Sequence, residues 1–298
     1  MKTVLRTFAI LAALSTLSFT ANAALLLGHD ARNNLFMVDT VTQSVTLVGS
    51  MGLESRSPEL EFTPDGASLV FPNTNGTVST VDPTTATVTG STAISFPDTP
   101  DDNENTATAL EYVGNTLYAA FDRAGPETNP GYLGTLNPAT GATTGIGTLT
   151  GMDAPAGGFA YSNGTMYAVS SANSRFSQLY TIDMSTGAAT LIADITLNGN
   201  QVEAITALVI ADGVAYTKAN DDVGGTDQET LYSLDLTTGA LTELFSMGER
   251  LVALASVSGT DAAVTTSAIP TASQWALVLL VLVLATFGLR HLTRRRAS

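Results

Sequence analysis

Cysteine is missing altogether from the 298-residue sequence. Disulfide bonds, thiolate zinc sites and cysteine nucleophiles are therefore excluded. An exported domain without disulfides has to be stabilised by core packing and strand pairing. A body of roughly 240 residues is large enough to bury the core that this requires.

Positive charge is scarce in most of the chain. Residues 24–268 hold all 27 acidic residues but only six of the 12 basic ones. A segment this acidic repels phosphate backbones and anionic lipid, so we expect no nucleic-acid binding. The remaining basic residues lie at the two ends of the chain.

Histidine occurs once in this segment, as His29 in the polar stretch 28–34. A histidine-cluster metal site is therefore excluded. No phosphate loop, dinucleotide fingerprint or Gly-x-Ser-x-Gly motif occurs. We interpret 28–34 as a loop between two strands and His29 as a surface histidine.

The N-terminal end has the three parts of a secretory signal peptide. Lys2 and Arg6 precede the apolar run 8–14, and residues 21–23 form an Ala-Asn-Ala cleavage site. We predict that residues 1–23 are a signal peptide that directs export.

The C-terminal end combines an apolar run with a basic cluster. Residues 276–289 are 14 uncharged residues, about 21 Å as a helix, and adding 269–275 gives 21 residues, close to a full membrane span. Trp275 would lie at the outer interface. The arginines that would stay cytoplasmic are Arg290, Arg294, Arg295 and Arg296. The sequence therefore predicts a transmembrane helix with the body outside.

This end resembles the IPTL-CTERM sorting signal, a relative of PEP-CTERM tails, over residues 269–298. The matching residues are Ile269, Pro270, Thr271 and Trp275. Ala272, Gln274 and Ala276 replace the usual Leu, Glu and Gly. The resemblance implies an exported protein of a Gram-negative bacterium whose partner is an exosortase-like processing enzyme. An ordinary C-terminal anchor is the alternative, and either interpretation gives a membrane-associated surface protein.

A short phrase recurs through the middle of the chain: an apolar residue, two variable residues, an apolar residue and Asp or Asn. Its final residues are Asp39, Asp82, Asn137, Asp183 and Asp235, which are 43, 55, 46 and 52 residues apart. A Thr-Gly turn follows most copies. Alternation of this kind predicts a hairpin, with the Asp accepting hydrogen bonds from turn amides and the Gly taking a positive φ. We interpret the repeated Asp as a turn former and not as a catalytic group.

A second phrase alternates with the first, so that each unit contains four short strands. It begins at Leu60, Leu110, Phe159, Leu208 and Leu254. The pattern predicts an all-β fold, a β-propeller of about five four-stranded blades spanning residues 24–257, with a linker at 258–268. The segment 250–256 would complete the first blade beside the strands that follow Ala24, and an open repeat array is the alternative.

Two acidic loops contain the candidate calcium ligands. They are Asp98, Asp101, Asp102 and Glu104 in the first loop, and Asp221, Asp222 and Asp227 in the second. Carboxylate oxygens are the ligands that Ca²⁺ prefers. Neither loop has the Asp-x-Asp-x-Asp-Gly spacing, so we interpret both mainly as solvated loops.

The inner strands offer few groups for catalysis. Their early positions include Glu59, Thr108, Gly157 and Thr206, and the candidate acids are Glu59, Glu61, Glu111 and Glu203, which we expect at unmatched registers. This favours a non-enzymatic surface or matrix propeller that binds a protein or glycan. The alternatives are an exported metal-assisted hydrolase or lactonase, and a self-associating coat component.

Overall fold

The computed structural model describes residues 24–53, 59–95, 106–121, 131–170, 176–219 and 226–256. All of these residues belong to one compact unit, residues 1–261. The predicted signal peptide, linker and sorting tail lie outside the described residues, and a second unit, 262–298, falls there too.

The described residues form short β-strands joined by turns and loops. The strands are β1 (Leu25–Asp30), β2 (Asn34–Asp39), β3 (Ser44–Ser50), β4 (Glu61–Phe62), β5 (Leu69–Asn73), β6 (Thr77–Val81), β7 (Val88–Ala93), β8 (Ala107–Val113), β9 (Thr116–Phe121), β10 (Tyr132–Leu136), β11 (Thr143–Thr148), β12 (Ala156–Ser162), β13 (Thr165–Ser170), β14 (Gln178–Ile182), β15 (Ala189–Asp194), β16 (Thr196–Leu197), β17 (Asn200–Gln201), β18 (Ile205–Ala211), β19 (Val214–Ala219), β20 (Thr230–Leu234), β21 (Ala240–Ser246) and β22 (Leu251–Ser256).

These strands form five antiparallel blades, which confirms the all-β propeller prediction. Blade 1 has the order β22-β1-β2-β3, blade 2 β4-β5-β6-β7, blade 3 β8-β9-β10-β11 and blade 4 β12-β13-β14-β15. Blade 5 is β18-β19-β20-β21, and the hairpin β16–β17 extends its outer edge. The first-named strand of each blade is its inner strand.

The ring closes through the last described strand. β22 pairs antiparallel with β1, placing Leu26 opposite Ser256 and His29 opposite Ala253. The inner strands also contact one another in the cyclic order β22, β4, β8, β12, β18 and back to β22. The predicted closure is confirmed, and the open array is wrong because blade 1 needs both ends of the body.

The two ends of the ring differ. At one end, here called the turn end, lie the turns that join each inner strand to the second strand and each third strand to the fourth. At the other, here called the loop end, inner strands begin and second strands finish. β1 begins and β22 finishes at the turn end. Both Ala24 and Ser256 therefore lie there.

Apolar side chains fill each junction between neighbouring blades. Five buried clusters occur among the described residues. In the junction of blades 1 and 2, for example, Leu27 packs with Leu60 and Phe71. Full burial of a side chain of this size stabilises the fold by about 1.5–3 kcal/mol. Because neighbouring blades cover both faces, β5 is buried at all of its positions.

The repeated Asp-x-x-Thr-Gly turn also connects neighbouring blades. Asp235 Oδ1 accepts hydrogen bonds from the amides of Thr237 and Thr238, and Gly239 has a φ of 70°. A Cβ on Gly239 would overlap the carbonyl oxygen of Asp194 in blade 4. The glycine is therefore required both for its positive φ and for close approach of two backbones.

A β-bulge interrupts the outer strand of every blade. The extra residues are Val48, Thr89, Ile146, Ile192 and Leu244. Bulges twist an edge strand and spoil it as a template for pairing with another chain. In blade 5, β16 also pairs in parallel with β21, an element that the sequence analysis did not predict.

Candidate functional site

Small and uncharged residues occupy the bulges of the inner strands at the loop end. Relative to the second strands, the extra residues are Thr108, Gly157, Thr206 and Val252. The Thr206 hydroxyl donates to the Val252 carbonyl at 3.4 Å, which links blade 5 to blade 1. Thr108, Gly157 and Thr206 are thus the extra residues of three inner strands, whereas Glu59, the fourth residue named in the sequence analysis, precedes β4.

Three of the four candidate glutamates are buried together. Glu59, Glu61 and Glu111 are 3%, 5% and 6% exposed. Glu61 and Glu111 each follow the buried leucine of the second phrase, and they pair with Val70 and Tyr118 of the adjoining strands. The expectation of unmatched registers is wrong for these two, because they occupy the same position in blades 2 and 3. Glu203 is half-buried and forms a β-bridge with Phe176.

Burial opposes ionisation of the three carboxyls in the glutamate cluster. Loss of solvation raises the pKa of all three carboxyls well above the ordinary range, and the negative charges of Glu61 and Glu59 raise that of Glu111 further. Backbone N–H groups of Leu60 and Tyr161 donate to Glu59 and Glu111, but this only partly offsets the cost of burial. A neutral carboxyl holds a proton and donates it in a hydrogen bond, but it is a weak nucleophile and a weak metal ligand.

The same burial acts on a neighbouring tyrosine. Burial, followed by the charges of Glu61 and Asp65, raises the pKa of Tyr112 to about 12. The phenol therefore stays protonated at neutral pH and adds no charge to the glutamate cluster.

His29 is a strand residue in the interior, so the prediction of a surface histidine in a loop is wrong. It lies in β1 and is 0% exposed. Its Nδ1 lies 2.9 Å from the carbonyl oxygen of Asp30, and its ring meets that of Phe71 edge-on at 4.7 Å. Burial lowers the pKa of His29 to about 4, so the imidazole is neutral at pH 7.

Lys218 occupies the corresponding position of blade 5, and the sequence analysis did not single it out. Lys218 pairs with Leu231 and His29 with Leu35, and both leucines begin the first repeated phrase. Lys218 is 0% exposed, and burial lowers its pKa to about 7. Its charge also contributes to the lowered pKa of His29. Alignment of the repeats would have found this pair, because the other three blades have Pro72, Ala120 and Val169 there.

The predicted calcium ligands fall mainly outside the described residues. Asp98, Asp101, Asp102, Glu104, Asp221 and Asp222 lie there. Asp227 is described, and its carboxylate accepts a hydrogen bond from the amide of Glu229, which forms a turn. In the described part of the chain, no group of three or more acidic, histidine or cysteine side chains is arranged to hold a metal ion.

The repeated Asp residues are turn formers, as predicted. The carboxylates of Asp82, Asp183 and Asp235 accept hydrogen bonds from the hydroxyl and amide two residues later, which lowers the pKa of each. The pKa of Asp39 is lowered as well, mainly because the amide of Thr42 donates a hydrogen bond to its carboxylate. All four of these turns follow the third strand of a blade and therefore lie at the turn end.

The predicted sorting residues, from Ile269 to Arg296, lie outside the described residues. Within the described ranges, no helix is long and apolar enough to cross a membrane.

Comparisons with known proteins support the identification of the C-terminal end. The IPTL-CTERM motif matches residues 267–296. No curated protein matches the chain.

Solved structures that match include two computationally designed proteins. Ika8 is 17% identical, with a TM-score of 0.35, and the match covers 77% of this chain but only 61% of Ika8. Ika4 is 20% identical, with a TM-score of 0.33, and the match covers 57% of this chain and 89% of Ika4. The fold assignment rests on the strand pairing described above. The chain thus carries an IPTL-CTERM motif that follows, in the sequence, a five-bladed β-propeller arrangement.

Proposed function

We propose that the protein is exported, sorted to the cell surface by its C-terminal tail, and acts there as a non-enzymatic binding or matrix scaffold module. The observation that carries this proposal is the IPTL-CTERM motif at residues 267–296. Such a motif implies recognition by a sorting system, for which an exosortase-like membrane enzyme is the partner we propose.

The two ends of the ring support a division of roles. The chain continues toward the tail from Ser256 at the turn end, where the connections between strands are short. The loop end has the longer connections, up to the 13 residues between β7 and β8. Binding residues concentrate on loops that a rigid scaffold positions. We therefore propose that a protein or glycan ligand binds at the loop end.

The acidic loops belong to this same end by their strand connections. One joins β7 to β8 and the other joins β19 to β20. Their carboxylates suit Ca²⁺, which we propose as a ligand of these loops. Calcium binding is part of this proposal, and Asp227 is the one candidate calcium ligand among the described residues.

No specific observation favours the hydrolase or lactonase. That hypothesis used the acidic loops and the channel glutamates. Most carboxylates of the loops lie outside the described residues, and burial raises the pKa of Glu59, Glu61 and Glu111, which weakens each as a general base at neutral pH.

Cell fractionation of a native host tests the sorting. The full chain should be found in the envelope or on the surface, whereas a chain ending at residue 268 should be released into the medium. The variant Pro270→Ala alters the motif but leaves the apolar run and the arginines unchanged. It should reach the membrane and fail to be processed, as shown by the mass of its C-terminal peptide.

Release of the full chain into the medium in the same amount as the shortened chain would contradict the proposal.

A calcium titration of the full chain, followed by thermal melting, tests the proposed calcium binding. A rise in melting temperature that saturates and is lost in Asp227→Asn supports calcium, and no rise contradicts it.

A further inference from the structure

The first residue of the described body is enclosed by the fold. Ala24 is 2% exposed, although it immediately follows residues 21–23, the predicted Ala-Asn-Ala cleavage site. Ala23 lies outside the described residues. The nitrogen of Ala24 is one of the two atoms joined by the peptide bond that a signal peptidase would hydrolyse. The surroundings of this bond are therefore defined on the side of the body.

Thr40 holds the backbone of Ala24 through both of its polar groups. The Ala24 amide donates to Thr40 Oγ1 at 3.2 Å. The Ala24 carbonyl accepts from the Thr40 amide at 3.2 Å and from the Thr40 hydroxyl at 3.1 Å. These bonds lie next to the pairing of Leu25 with Asp39, the outermost pair of β1 and β2. The backbone at the cleavage boundary is thus tied to the sheet of blade 1.

The side chain of Ala24 packs in the junction that closes the ring. It belongs to the apolar cluster between blades 5 and 1, together with Leu251 and Leu254 of β22. β22 is also the strand that pairs with β1. Burial of Ala24 therefore involves both the β1–β2 hairpin and the closing strand.

Hydrolysis of the bond before Ala24 requires atoms that the fold encloses. Water adds across the bond: the carbonyl carbon of Ala23 becomes a carboxyl group, and the nitrogen of Ala24 takes a proton and leaves as an amine. Proteases cut most readily where the backbone is exposed and free of hydrogen bonds. A buried and paired backbone is cut only during local opening, at a rate set by the population of the open form. Folding and cleavage therefore compete for Ala24.

We propose that the junction of blades 5 and 1 controls removal of the signal peptide. A signal peptidase cuts before Ala24 only while this junction is open, and a body that folds first keeps residues 1–23. This rests on the export in the proposed function and adds an order to its first step. The physical reason is that the hydrogen bonds to Thr40 and the packing against β22 have to be broken before the bond is exposed.

The test uses the full-length precursor, folded in detergent, and a purified signal peptidase. Mass spectrometry of the N-terminus measures the rate at which residues 1–23 are lost. The matched variant has Ala-Gly-Ser-Gly inserted between Ala23 and Ala24. The insertion keeps alanine on both sides of the bond but places the bond outside the body. We expect the insertion variant to be cut faster than the unmodified precursor by about tenfold or more, because it needs no local opening.

Three substitutions locate the cause. Leu254→Asp places a charge in the junction of blades 5 and 1 and should open it, so that this chain is cut equally fast with and without the insertion. Thr40→Val removes the hydroxyl that bonds to Ala24 and should raise the rate by about fivefold. Thr42→Val is its control, because that hydroxyl bonds to the hydroxyl of Ser44 in the same turn, and the rate should stay unchanged. Thermal melting of each variant shows which chains are folded.

Equal rates for the folded precursor with and without the insertion would overturn the proposal, because Ala24 would then be accessible in the closed ring. An insertion that speeds cleavage just as much in the Leu254→Asp chain would also overturn it, since the inserted residues would then simply suit the peptidase better. Neither result bears on sorting by residues 267–296, which has its own test. A Leu254→Asp chain that is not cut after Ala23 at all would instead remove the export on which the proposed function rests.

Discussion

Glu111 illustrates how a single buried carboxyl affects stability. Its pKa is raised by burial and by the neighbouring glutamates, while in the unfolded chain it has the ordinary value of 4.5. As pH rises above that value, the unfolded chain releases a proton that the folded chain keeps. The free energy of unfolding therefore falls as pH rises above about 4.5 toward the raised pKa of the folded chain.

We predict that Glu111→Gln stabilises the protein at about pH 8, because the amide has no proton to lose. At about pH 5 the two proteins should differ little. Urea unfolding at both pH values measures this. The control is Glu243→Gln in β21, where the side chain is exposed. A stability gain that is equal at both pH values would contradict the explanation by burial.

The glycine of the repeated turn has two separate roles, and two substitutions separate them. Gly239 and Gly213 both have a positive φ, but a Cβ on Gly213 would meet no atom within 4 Å. Gly213→Ala should cost about 1–2 kcal/mol for the backbone conformation alone. Gly239→Ala should cost at least about 2 kcal/mol more, because the added Cβ would overlap the backbone of Asp194 in blade 4.

Chemical denaturation of the two variants gives the difference directly. Equal losses would mean that blades 4 and 5 move apart at little cost. In blade 2 this turn position holds Ala86, with a φ of 58° and with its methyl group buried in the junction of blades 1 and 2. Ala86→Gly relieves the backbone strain but removes a buried methyl group, so these two effects should largely offset each other.

His29 shows where the sequence misleads at this scale. In a sheet with one solvent face, a His-Asp pair after Leu25–Leu27 suggests that the strand has ended. In a propeller, however, both faces of β1 are covered by blades 5 and 2, so a polar side chain in the strand is simply buried. Lys218 occupies the same repeat position as His29, and an alignment of the repeated phrases is enough to show this match.

At the scale of elements, pairing of β22 with β1 holds the ring closed. Without β22, blade 1 loses its inner strand, and Leu251 and Leu254 leave the apolar cluster between blades 5 and 1. Each leucine contributes about 1.5–3 kcal/mol through burial. This loss is comparable with the whole stability of many domains.

We predict that a body ending at residue 248 does not unfold cooperatively, whereas one ending at residue 256 does. Circular dichroism melting and amide hydrogen exchange measure the two chains side by side. The signal should be lost first in β1–β3, next to the missing strand. A sharp melting transition in the shorter chain would show that the ring does not depend on this closure.

The hairpins of the blades could largely be predicted from the sequence, for a physical reason. Asp and Gly are the residues that tight turns demand, so Asp183 and Gly187 mark a hairpin in any context. The hairpin β16–β17 could not be predicted in this way. Its parallel pairing with β21 depends on the neighbouring blade, and its two-residue strands are too short to produce a pattern.

At the scale of the whole molecule, the ring is completed by residues 24–256 alone. The tail should therefore add nothing to the stability of the blades. We predict that the isolated body 24–256 and the full chain in detergent differ by less than about 0.5 kcal/mol, which is roughly 2 °C in melting temperature. Differential scanning calorimetry measures both, and a larger difference would assign the tail a structural role besides sorting.

The surface of the body bears mostly negative charge, which affects its partners. With 27 acidic and six basic residues, the segment 24–268 should attract basic ligands and repel anionic ones. The sequence established this balance without any structure. The sequence could not show which carboxyls are buried, as Glu59 is, because burial depends on the packing of separate blades. Burial opposes the ionisation of such a carboxyl, so that it contributes less to the negative charge.

The placement of β22 at the end of the body has a consequence for synthesis. A chain that crosses a membrane from its N-terminus delivers β1, β2 and β3 first and their fourth strand last. Until Ser256 has emerged, the edge of β1 stays open and the apolar junction of blades 5 and 1 is incomplete, because it lacks Leu251 and Leu254. In an exported chain, completion of the fold would therefore follow the crossing of the whole body and precede that of the motif at residues 267–296.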